Sequence, residues 1–226
     1  MLLVIVGGVG RAQVEAAVTR TLATLPVGSY HWTLPTPSPR SPSSVTFTAR
    51  PAMTNYILGW FQGPAASDDD YPAFRMATAW LSSRVSTAVR YQRGLSYAAQ
   101  APMIERGVTT GGIYVTTTSP AVVMPLIKAQ VDGPRNLPTG YSIRSFAEQF
   151  IMDYFAENST NAAQADFLAR AELYRGDFHK ASQSMEDLRH VTMSNIRAAA
   201  NKYFRQIHFA YVGDTTRVTR EAFTVF

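Results

Sequence analysis

The sequence contains no cysteine, which excludes disulfide staples and thiolate-held metals and leaves the compartment open. Lysine is nearly absent: Lys128, Lys180 and Lys202 are the only ones, so the formal net charge of +5 rests on arginine. Those arginines are scattered from Arg11 to Arg220 without a block. Nucleic-acid binding needs positive charge gathered on one face, so nucleic acid is not an expected partner. There is no long apolar run either. The longest, Met1 to Val6, falls far below the roughly 20 residues that span a bilayer and lacks the charged start and small-residue cleavage site of a signal peptide. No membrane insertion is expected.

What is present points to a folded core. The chain has 226 residues, 46% of them hydrophobic, enough for one large domain with an attached fragment. Leu2 to Val6 reads as a buried strand ending in the turn Gly7-Gly8. Val14, Ala17, Val18, Thr21, Leu22 and Leu25 then recur at helical spacing. From Thr33 to Ser44 the run TLPTPSPRSPSS holds four prolines and little to bury, the composition of a semi-rigid extended connector. Residues 1–30 are therefore read as the strand-plus-helix tail of a preceding unit, 31–44 as a linker, and 45–226 as a domain of their own.

Within that domain, Val45 to Thr48 and Tyr56 to Phe61 are rich in aromatic and branched residues and read as strands. Asp68, Asp69 and Asp70 precede Pro72, the acids and early proline of a helix start, and Phe74, Ala77, Leu81, Val85, Ala88 and Val89 form its apolar stripe up to Gly94. Tyr97 to Ala101 and Gly111 to Thr118 read as strands, and helical patterns cover about 143–156, 161–174 and 193–204. The last has Thr192 as its N-cap. His208 to Asp214 (HFAYVGD) echoes Leu2 to Gly8 (LLVIVGG) at a distance of 206 residues, as if the end of one unit were followed by a whole second one.

The segment VRYQRGLSY, Val89 to Tyr97, closes the helix. Read from the residues alone, it can be an ordinary helix end. Arg90 complements the helix dipole, Gly94 is a C-cap, and Tyr97 packs its ring and wets its hydroxyl. Arg84 and Arg93 read as solvated or structural, and His190, near a helix end, as a dipole partner. Asp68 to Asp70 cannot all face one ion from a helix, so no metal site is assigned to them.

Together with Asp68-Asp69-Asp70-Tyr71-Pro72-Ala73, Leu81-Ser82-Ser83-Arg84-Val85, Asn55-Tyr56-Ile57-Leu58-Gly59-Trp60 and the terminal Val212-Gly213-Asp214, this segment resembles the second half of zinc metallopeptidases of the pitrilysin/insulinase family. The resemblance covers most of the chain, and the Arg-x6-Tyr spacing is its most specific part. It implies an α+β fold in which an antiparallel β-sheet is layered with α-helices, preceded by the terminal strand and helix of a similar unit. It also implies that Tyr97 hydrogen-bonds a substrate carbonyl or oxyanion while Arg90 clamps the substrate backbone or carboxylate, in a chamber opposite the zinc.

The family's zinc motif, His-x-x-Glu-His, is missing. The histidines are His31, His179, His190 and His208, none with a second histidine four residues away. No cofactor is therefore expected on this chain. The zinc is expected in a partner half, and the partners are that zinc-bearing half or subunit and peptide substrates. Relatives of the family in bacteria are often exported, which points to the periplasm. The chain alone is expected to be inert. Two other readings stay open: a catalytically inactive structural or interaction subunit, and a stand-alone peptide binder.

Overall fold

The computed structural model describes residues 1–33, 36–136 and 143–226. Of the expected linker, Leu34 and Pro35 lie outside the described residues. Along the chain come α1 (Arg11–Arg20), β1 (Ser44–Ala49), β2 (Asn55–Gln62), α2 (Tyr71–Val85) and a π-helical continuation of α2 over Ser86–Tyr91. Then follow β3 (Ala99–Gln100), β4 (Met103–Ile104), β5 (Thr110–Thr117), α3 (Pro120–Asp132), α4 (Arg144–Glu157), α5 (Asn161–Arg175), α6 (Lys180–Arg189), α7 (Met193–Tyr203), β6 (His208–Gly213) and the short α8 (Glu221–Thr224).

The sheet runs β1-β6-β2-β5-β3, with β4 also paired to β5; β1 lies parallel to β6 and the other pairs are antiparallel. Its pleat separates two faces, as alternation requires. On β2, Ile57 and Phe61 are buried while Tyr56 is exposed. The buried face joins Ile113, Val115, Phe209 and Tyr211 to the apolar stripe of α2 and to Ile196, Ala199 and Ala200 of α7. This is the α+β arrangement, a mostly antiparallel sheet layered with helices, that the resemblance implies.

The end of β6 shows why the Val-Gly-Asp sequence is needed there. A Cβ on Gly213 would stand 2.2 Å from Asn55 Oδ1. That oxygen accepts from the Asp214 amide (2.8 Å) and from the buried Tyr211 hydroxyl (2.7 Å). Gly213 is thus fixed by a close approach between strands, and the side chain of Asn55 joins the ends of β2 and β6.

Three expectations need correction. Leu2 to Val6 is not a buried strand: it has no regular structure and Leu2, Leu3 and Ile5 are exposed. A strand exists only through hydrogen bonds to a neighbour, and among the described residues this segment has none. The helix after it forms but buries no residue. The strand expected over Tyr97 to Ala101 is only the two residues of β3, because the chain bends at Tyr97 before it joins the sheet. Finally, α3 and α6 are helices where none was expected.

Candidate functional site

The site is built where α2 ends. Leu81, Val85 and Val89 are fully buried, and the helix widens to π geometry over Ser86–Tyr91, with the Gln92 amide reaching back to the Thr87 carbonyl (3.0 Å). Such widened turns are uncommon and concentrate at functional sites. Here the extra residue keeps Ala88 and Val89 in the core while Arg90 and Tyr91 turn outward. The helix then stops at Gly94, whose φ of 62° is the left-handed conformation a glycine adopts without strain. The Gly94 amide donates to the Arg90 carbonyl and the Leu95 amide to the Val89 carbonyl, both at 2.9 Å.

The following turn is pinned on both sides. Thr117 Oγ1 donates to the Leu95 carbonyl (2.8 Å), Ser96 Oγ to the Ala98 carbonyl (2.6 Å), and the Thr116 amide to the Ala98 carbonyl (3.0 Å). Tyr97 therefore has a fixed backbone and is 82% exposed. The Arg90 guanidinium lies 4.7 Å from the centre of the Tyr97 ring and 5.3 Å from that of Tyr91, itself 72% exposed. Two aromatic faces thus orient one cation. Among the described residues Arg90 has no carboxylate partner and the Tyr97 hydroxyl no hydrogen bond. The structure places the two residues side by side at an exposed helix end.

The neighbouring arginines are structural. Arg93 donates to the Ala88 carbonyl (2.9 Å), closing the helix end, and Arg84 to Gln130 on α3 (3.3 Å). Ser82 Oγ accepts from the Ala101 amide (3.0 Å), so the Ser-Ser-Arg sequence ties α2 to the β3–β4 segment and to α3. Asp70 does not cap α2 through its side chain. It takes hydrogen bonds from Lys202 (2.5 Å) and the Tyr203 hydroxyl (2.8 Å), which hold its carboxyl below the usual carboxylate range. His190 Nδ1 meets the Glu186 carbonyl at 2.8 Å at the end of α6, and His208 sits between Ser41 and Ser44. Among the described residues no group of three or more histidine, cysteine, aspartate or glutamate side chains could hold a metal ion, so these residues do not fit a zinc site. Among them, too, no helix is long and apolar enough to cross a membrane.

One polar cluster was not foreseen in the sequence. Arg75, on α2, has a side chain only 10% exposed, bracketed by the rings of Tyr71, Phe150 and Tyr154. The signal was available: from Tyr71 to Leu81 Arg75 is the only charge in an otherwise apolar helix, the pattern of a helix covered on several sides.

Set against known proteins, residues 1–132 match the family described as the peptidase M16 inactive domain. Among curated proteins none matches the sequence. Among solved structures, the peptidase M16 inactive domain from Pseudomonas fluorescens shares 19% identity at a TM-score of 0.76, with 92% of this chain and 52% of that one covered. A protease from Helicobacter pylori shares 13% at 0.76, covering 92% and 53%. A chain of complex III2 from Candida albicans, Inz-5 bound, shares 11% at 0.77, covering 95% and 55%. The chain thus spans about half the length of these similar structures, and at these identities the likeness is one of fold.

Proposed function

Since the chain belongs to the peptidase M16 family through its inactive domain, we propose that it is the non-zinc half of an insulinase-like metalloendopeptidase, acting on peptides with a His-x-x-Glu-His half or subunit. In this reading residues 45–226 are the domain that faces the substrate, 31–44 the linker, and 1–30 the tail of the preceding unit. The unburied α1 and the exposed Leu2, Leu3 and Ile5 support the last assignment, because apolar positions in a strand-and-helix pattern call for a surface to cover them.

The observation that carries the proposal is the Arg90–Tyr97 pair: a guanidinium 4.7 Å from the ring centre of a phenol on a pinned backbone, with no carboxylate partner for the one and no hydrogen bond for the other among the described residues. Tyr97 donates from its hydroxyl to the oxygen of the scissile carbonyl, where charge develops. Arg90 binds the substrate backbone or a carboxylate with the several donors of its planar group. Preorganisation comes from the π turn, Gly94 and Thr117, which hold the backbone that carries the two side chains before substrate arrives.

A quenched fluorescent peptide tests this. The chain alone should not cleave it, and a mixture with the zinc-bearing half should. Cleavage by the isolated chain in the presence of a metal chelator would overturn the reading. The alternative is a catalytically inactive homologue that serves as a structural or interaction subunit, for which the fold shared with a chain of complex III2 from Candida albicans is the support. It requires that the two halves associate without cleavage.

A further inference from the structure

The Arg-x6-Tyr spacing leaves Tyr91 unassigned, yet the structure gives it a part in the same site. It is an exposed residue of the π-helical turn, and the Arg90 guanidinium lies over its ring at 5.3 Å as well as over that of Tyr97 at 4.7 Å. A ring attracts a cation through its face and uses up none of the N–H donors. Among the described residues the Arg90 side chain has neither a carboxylate partner nor a hydrogen bond. Two rings therefore attend a cation whose donors are still free.

The sequence around that cation supplies no acid to answer it. From Tyr71 to Ile104 there is no aspartate or glutamate but four arginines, Arg75, Arg84, Arg90 and Arg93, and after Glu105 the next acid is Asp132. These residues make up α2, its π-helical continuation, β3, β4 and β5, the elements to which the site belongs. The acids that border this stretch are already engaged. Glu105 meets Arg75 (3.4 Å), and Asp132 meets Lys128 and Arg135. At the end of β6, Asp214 takes hydrogen bonds from Thr216 and Arg217, which hold its carboxyl below the usual carboxylate range. The positive charge at the helix end is thus unopposed, a field that draws anionic groups.

We propose that this site selects peptides bearing a carboxylate, whether an acidic side chain or the C-terminus, and that Tyr91 is a positioning residue for it. The inference deepens, and rests on, the reading of this chain as the substrate side of a peptidase. A planar guanidinium takes both oxygens of a carboxylate in two parallel N–H···O bonds, where a backbone carbonyl offers a single oxygen. Tyr91 acts through Arg90: with Tyr97 it keeps the cation at the helix end before the peptide arrives, which lowers the cost of ordering it.

The test is fluorescence-anisotropy binding of three labelled peptides to the full chain at low ionic strength. The peptides are identical except for their carboxylates: one has a glutamate and an amidated C-terminus, one a glutamine in its place and a free C-terminus, and one both the glutamine and the amide. A carboxylate peptide should bind about tenfold more tightly than the neutral one, by a margin that shrinks as salt is added, and whichever of the two does so identifies the source. That preference should vanish in Arg90→Gln and survive in Arg84→Gln, which removes the same charge from the same helix. It should narrow by about two- to fivefold in Tyr91→Ala and return in Tyr91→Phe, which keeps the ring. Equal binding of all three peptides, a preference that survives Arg90→Gln or is equally lost in Arg84→Gln, or an undiminished preference in Tyr91→Ala would each overturn the proposal. Cleavage of the same peptides by the mixture with the zinc-bearing half is measured separately. A carboxylate preference in binding without any cleavage supports the carboxylate site and overturns the peptidase reading, whereas cleavage with no preference overturns the proposal and leaves that reading standing.

Discussion

At the scale of single residues, the site depends on a few positions with defined jobs. Gly94 is the plainest. Nothing stands within 4 Å of where its Cβ would be, yet its φ is 62°, so its requirement is conformational rather than steric. Gly94→Ala should destabilise the chain by about 1–2 kcal/mol, read from urea denaturation, and Gly94→Asn by less, because asparagine tolerates this conformation. Equal stability of all three would mean that the helix end is not held as described. The helix end itself was legible, a basic residue in the last turn followed by glycine, whereas Arg90 and Tyr97 were singled out as a pair only by the family spacing. Arg75 was legible as a lone charge on an apolar helix, but its surroundings were not. Its partners Glu105, Phe150 and Tyr154 lie 30 to 79 positions away in sequence, and only the packed structure brings them together.

At the scale of elements, strands β1, β2, β5 and β6 and helices α2, α4, α5 and α7 could be read from periodicity and caps, since each turns one side toward the core, fully buried in most and only partly so in β1 and α5. Helix α3 could not, because Pro120 and Pro125 look like breakers. Pro120 occupies the tolerated first turn, and the helix survives Pro125 because Val123, Met124, Ile127 and Val131 are buried almost completely. Helix α6 is short and mostly polar, and its buried residues include Ala181 and Ser184, which carry little apolar signal. Leu2 to Val6 has the composition of a strand but lacks, in this chain, the neighbour that would make it one. Two elements far apart in sequence, α2 and α7, are also joined by charge, through Asp70 with Lys202 and Tyr203. Asp70 has a lowered pKa in the folded chain. Its contribution is therefore complete above the unfolded value of about 3.9 and disappears as pH falls through the folded value. Both charges of the ion pair face solvent, so Asp70→Asn should cost less than about 1 kcal/mol near neutral pH. The difference from the unsubstituted chain should vanish once the pH is well below that of Asp70 titration. A difference that grew as the pH fell would contradict the ion-pair assignment.

At the scale of the whole molecule, the chain is one sheet layered with helices, with a pinned Arg–Tyr pair at the end of its central helix and, among the described residues, no cluster that could bind a metal. In the proposed reading this chain supplies binding and charge stabilisation and the partner half supplies the metal. The most direct measurement is kcat/KM for a quenched peptide cleaved by the mixture of this chain with the zinc-bearing half, comparing the unsubstituted chain with Tyr97→Phe. Association of the two halves is followed in parallel. The account predicts unchanged association and a loss of about 10²–10³ in kcat/KM, the cost of removing one oxyanion donor. Cleavage by the Tyr97→Phe mixture at the unsubstituted rate would contradict it, and association without any cleavage would establish the structural-subunit reading in its place.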